Sequence, residues 1–104
     1  MNGIRILVVD DHPVVRDGVA AMLAAVDGLE VVGQAGSGPE AVTLAADLDP
    51  DVVVMDLRMP GGGGVGAVRE MRQRRLRAAV LVLTTYDTDS DTVAAIEAGA
   101  MATC

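Results

Sequence analysis

Ile4-Arg5-Ile6-Leu7-Val8-Val9-Asp10-Asp11 and Val52-Val53-Val54-Met55-Asp56 decide the fold. Each is a short apolar run, rich in β-branched residues and stopped by acid. Parallel strands buried on both faces read this way, because neither face needs polar alternation. In an open parallel sheet, sites form outside the carboxyl ends of the strands. The two runs therefore predict that Asp10, Asp11 and Asp56 converge at one end of a sheet. Carboxylates brought together repel one another. A hard cation relieves that repulsion, and Mg2+ is held by one or two carboxylates with water and phosphate oxygens.

Strand and helix signals alternate outward from these runs. Asp11-His12-Pro13 starts a helix, with Pro13 in the first turn where its missing N–H costs nothing. Val15, Val19, Met22, Leu23 and Val26 follow at helical spacing and predict its buried face. Leu29 to Gln34 is a second strand. Ser37-Gly38-Pro39-Glu40 fits a capping box, with Ala41, Leu44, Ala45 and Leu48 as the inward face of the helix that follows. Asp49-Pro50-Asp51 stops that helix before the third strand. The glycine run 61–64 precedes a helix from Val65 to Arg75, and Ala78 to Leu83 is a fourth strand. A fourth helix starts within Asp87 to Ser90, and Met101 to Cys104 begins a fifth strand. Alternating βα units imply a parallel sheet with helices on both faces and right-handed crossovers. The expected architecture is a flavodoxin-like α/β sandwich of three layers, with strand order 2-1-3-4-5 and an incomplete fifth strand.

With 104 residues, the chain is read as one domain, 1–104. Half of it is hydrophobic, yet Tyr86 is the sole aromatic residue, so aliphatic side chains and Met must pack the core. The net charge of −7 opposes nucleic-acid binding by this domain alone, because phosphate contacts need a basic surface. Arg69, Arg72, Arg74, Arg75 and Arg77 fit a solvated helix end better than a nucleic-acid patch. No apolar run reaches transmembrane length, and no membrane partner is expected. A single Cys, at position 104, excludes an internal disulfide framework, and a reducing cytoplasm is the expected compartment. His12, the one histidine, is read as a solvent-facing loop residue. The glycine run lacks the Lys-Ser/Thr of a P-loop.

Three segments together resemble the receiver domain of bacterial response regulators. They are Val8-Val9-Asp10-Asp11-His12-Pro13-Val14-Val15-Arg16, Asp56-Leu57-Arg58-Met59-Pro60-Gly61 and Leu83-Thr84-Thr85-Tyr86-Asp87-Thr88-Asp89. The wording is nearest the subfamily that carries a LuxR-type helix-turn-helix output domain. The resemblance implies that Asp56 accepts a phosphoryl group from a sensor histidine kinase. It implies Mg2+ held by Asp10, Asp11, Asp56 and the backbone carbonyl of Arg58. Thr84 matches the hydroxyl that senses the phosphoryl group, and Tyr86 matches a position that tunes dephosphorylation. DNA binding would belong to an output domain outside these 104 residues.

Departures from the family pattern fall near the end of the chain. The usual switch aromatic corresponds to Thr103. The usual Lys would come at position 106, and the sequence contains no Lys. A fifth helix is missing, which should uncover apolar surface on the first helix and favour a homodimer or higher oligomer. The leading expectation is a phosphorylation-controlled receiver that is not a conventional enzyme. A phosphorylation-independent adaptor stays open on the missing Lys and aromatic. A Mg2+-dependent phosphatase with an aspartyl nucleophile is disfavoured, because that chemistry uses Asp-x-Asp and here the acids are adjacent.

Overall fold

The computed structural model describes residues 3–56, 63–83 and 102–103. Its strands are β1 (Ile4–Val9), β2 (Leu29–Ala35), β3 (Val52–Asp56), β4 (Ala79–Leu83) and β5 (Ala102–Thr103). They form one parallel sheet in the order β2-β1-β3-β4-β5, as the alternation predicts. Helices α1 (Pro13–Ala24), α2 (Gly38–Leu48) and α3 (Gly63–Gln73) supply the crossovers. The helix α3 begins inside the glycine run rather than at Val65. The expected fourth helix lies outside the described residues.

Alternation along the strands sorts the core into two faces. Leu7 and Val9 of β1, Val53 and Met55 of β3, and Val80 and Val82 of β4 pack against Ala41, Val42 and Ala45 of α2 and Ala67, Val68 and Met71 of α3. Ile6, Val8, Val52, Val54 and Leu81 point the other way, toward Val19, Ala20 and Leu23 of α1. Burial is deeper on the first face, where Leu7, Val53, Met55, Val80 and Val82 are fully enclosed.

The predicted buried face of α1 needs correction. Val19 and Leu23 do pack on the sheet, but Val15, Met22 and Val26 are half or more exposed. Ala20, not foreseen, is the buried residue of the helix. Its small side chain brings this flank close to the sheet. Val15 and Met22 lie roughly 100° round the helix from the centre of the Val19, Ala20, Leu23 stripe, at 3.6 residues per turn. They fall at its edge, beside sheet that α1 alone covers among the described residues.

Local signals in α2 are realised with one change. Ser37 is the N-cap, and its Oγ accepts from the Glu40 N–H at 3.2 Å. The Glu40 carboxylate reaches back one residue further than a standard box, accepting from the Gly36 N–H at 2.7 Å. Asp49 ends the helix in the left-handed region, φ 48°.

At the amino ends of the strands, Asp51 clasps three elements. Its Oδ2 accepts from the Arg5 N–H at 2.8 Å, and its Oδ1 accepts from Arg77 Nη1 at 2.7 Å. Arg77 also donates from Nε to Asp49 Oδ2 at 3.0 Å. Arg74 pairs with Glu70 at 2.8 Å one turn back, and Arg72 donates to the carbonyl of Ala78. The arginine run is thus partly committed to partners within the chain.

Candidate functional site

The carboxyl ends of β1 and β3 are neighbours, because Val9 pairs with Met55 in the parallel ladder. One residue beyond that pair stand Asp10 and Asp56. Alternation gives both acids the face of Val8 and Val54. They line, with Val8, Val9, Val15, Val19 and Val54, a cleft of about 140 Å³ between α1 and the sheet. The floor is apolar, so the two acids are its charged features.

Asp10 is buried at 6% exposure and is held at three points. Its N–H donates to the carbonyl of Ala35 at 3.1 Å. Its Oδ1 accepts from the His12 N–H at 2.8 Å. Its own carbonyl accepts from Arg16 Nη1 at 3.1 Å. Asp10 thereby serves the turn into α1, although the N-cap residue is His12 and makes no side-chain cap. Asp11 contrasts with it: Oδ1 is buried, accepts no backbone N–H among the described residues, and stands 3.0 Å from the His12 imidazole. Burying a carboxylate oxygen with little compensation is costly, and a cation beside it would reduce that cost.

The imidazole of His12 is mostly exposed, as expected of a loop residue, but it is not remote from the acids. Its Nδ1 lies 3.0 Å from Asp11 Oδ1 and 3.6 Å from Asp10 Oδ1. Donor atoms of Asp10, Asp11 and His12 all fall within 4.8 Å of one another. Asp56 stands across the rim of the cleft from this tight group. Two carboxylates as oxygen donors suit a hard cation that completes its shell with water. Arg58, Thr84 and Tyr86 lie outside the described residues.

Sequence reasoning missed the brace behind the acids. Arg16 spans from α1 to β2, with Nε donating to Gln34 Oε1 at 3.2 Å while Nη1 holds Asp10. Its place on the sheet-facing stripe of α1, one turn before Ala20, was the available signal.

Comparison with known proteins accords with this geometry. The response regulator receiver domain family matches residues 6–103. Response regulator GacA of Pseudomonas viridiflava is 47% identical over 97 residues, which are 93% of this chain and 45% of GacA. The chain spans about half the length of the curated relatives it matches. Among solved structures, the signal receiver domain of the response regulator NarL from Mycobacterium tuberculosis superposes with a TM-score of 0.92 at 33% identity, covering 99% of this chain and 83% of that one. A LuxR-family two-component response regulator from Aurantimonas sp. SI85-9A1 gives 0.90 at 39% identity, covering 98% and 73%. The sequence match over nearly the whole chain, with the strand order and the acids at the sheet's carboxyl edge, makes this chain a member of the response regulator receiver domain family.

Proposed function

We propose that this receiver accepts a phosphoryl group on Asp56 from the phosphohistidine of a sensor kinase, with Mg2+ bound at Asp10, Asp11, Asp56 and the backbone carbonyl of Arg58. The observation that carries this reading is that Asp10 and Asp56 line one cleft at the carboxyl ends of β1 and β3, beside a buried Asp11 oxygen that stands 3.0 Å from the His12 imidazole. An Asp56 carboxylate oxygen bonds to phosphorus as the bond from phosphorus to the kinase imidazole breaks. The imidazole leaves with the electron pair. Attack of one anion on another is opposed by charge, and bound Mg2+ would supply the positive charge that offsets it.

The remaining roles follow from the same reading. Asp10 and Asp11 would hold the cation. Thr84 donates its hydroxyl to the phosphoryl oxygens and moves with them. Tyr86 adjusts how fast water removes the group. An added phosphoryl carries roughly −1.5 to −2 charge, enough to bias a two-state loop. The altered surface would then control homodimerisation and a DNA-binding output domain. The LuxR-family membership of a close structural neighbour supports that output.

Intact mass tests the reading. Incubation with Mg2+ and a small acyl phosphate should add one phosphoryl group to the parent chain. Neither Asp56→Asn nor a chelator-treated parent should gain it. A folded parent that gains nothing would favour the adaptor reading instead.

A further inference from the structure

We infer that Arg16 is a positioning residue for the acidic site, and that Gly36 lacks a side chain so that Arg16 can reach it. This rests on the cation reading proposed above and extends it to residues outside the acid set. The side chain of Arg16 clamps the turn into α1. The backbone N–H of Arg16 makes the ordinary opening bond of the helix to the carbonyl of His12 at 2.8 Å, and its guanidinium donates to the carbonyl of Asp10 at 3.1 Å. The peptide group joining Asp10 to Asp11 carries that second carbonyl. Fixing it fixes where the Asp11 carboxylate begins. The Asp11 side chain, whose buried Oδ1 stands 3.0 Å from the exposed imidazole of His12, is carried by this peptide.

The guanidinium is itself aimed. Gln34, at the end of β2, accepts from Nε at 3.2 Å. One edge of a planar fork thus grips β2 while the other grips the β1–α1 turn. A compact ammonium cannot reproduce both contacts. Beneath the fork lies Gly36. A Cβ there would stand 2.8 Å from Arg16 Nη1 and 3.7 Å from Glu40 Oε1. Gly36 does not have a positive φ, so its missing side chain answers to space and not to backbone conformation. The Gly36 N–H is in turn held by Glu40, whose N–H is capped by Ser37. The brace therefore runs from the first turn of α2 to the turn that carries the acids.

Mg2+ affinity, measured by isothermal titration calorimetry beside thermal melting, tests the inference. Arg16→Met should weaken Mg2+ binding roughly 10- to 100-fold, the range for residues that orient a metal's ligands. Arg16→Lys should not restore it. Gly36→Ala keeps the charge of Arg16 but displaces the guanidinium, so affinity should fall while the melting temperature barely moves. Val42→Ala, a core control against the opposite face of the sheet, should melt earlier with unchanged affinity. Binding by the parent that is lost in Asp11→Asn checks the underlying cation reading; a parent that binds no Mg2+ overturns both. A parent that binds, with affinity unchanged in Arg16→Met and Gly36→Ala, overturns this inference alone.

Discussion

Asp51 and Asp11 are both carboxylates placed at strand ends, and their surroundings are opposite. The Arg5 N–H, and after it the Arg77 guanidinium, hold the Asp51 carboxyl below the ordinary carboxylate value of 3.8. A carboxyl lowered in the folded state binds protons more readily once unfolded. Its contribution is therefore complete above that ordinary value and is lost as pH falls through the lowered folded value. Acid unfolding followed by circular dichroism should be less steep in Asp51→Asn than in the parent below about pH 4, where unperturbed carboxylates titrate. An identical acid limb would contradict this. At its buried oxygen Asp11 meets the mostly exposed imidazole of His12 at 3.0 Å and not an arginine. The placement of Asp10 and Asp56 was legible in the sequence, because period-two alternation carries straight from Val8 and Val54 to the acids. The contacts of His12 and Arg16 were not. Those of Arg16 cross from α1 to β2, and those of His12 depend on how the turn after β1 folds back, which spacing along one element does not give.

Elements whose signals are local were read almost to the residue. The bounds of β1 agree, β2 runs one residue longer, and α2 starts at its Ser37 cap. Replacing that cap should be felt in proportion: Ser37→Ala is expected to cost about 1 kcal/mol in urea unfolding. A loss below about 0.3 kcal/mol would mean that the Glu40 contact with Gly36 fixes this turn unaided. The helix α1 was read less well. Its apolar residues cover a wider arc than the sheet accepts, and the small Ala20 sets which part docks. Val15 and Met22 belong to that arc by pattern, but tertiary fit rotates them to its edge. Hydrophobic periodicity names a helix and its apolar side; it does not fix the rotation of that side against its neighbour.

For the molecule as a whole, the sheet divides stability unequally between its faces. The face covered by α2 and α3 encloses Leu7 completely, whereas Leu81, on the α1 face, is partly open. Large-to-small changes cost more where the site cannot relax or admit water. Leu7→Ala should lose about 2–5 kcal/mol in urea unfolding and Leu81→Ala clearly less. Equal losses would contradict the asymmetry. Gly33 sharpens the point at Leu7, since a Cβ on it would stand 2.8 Å from Leu48 Cδ1 and 3.4 Å from Leu7 Cδ1. That face is packed to the level of single methyl groups. The strand order was legible because alternating units and handed crossovers leave few topologies. The depth of burial was not, since among the described residues it depends on which helices settle on each side.

The proposed chemistry needs the phosphoryl group on one particular carboxylate. Borohydride reduction of the phosphorylated chain, followed by peptide mass spectrometry, converts the acyl phosphate into a stable mark at the residue that carried it. The mark should fall on Asp56 alone and should vanish when Mg2+ is chelated before the phosphodonor is added. A mark on Asp10 or Asp11, or one at Asp56 that forms equally without Mg2+, would contradict the account.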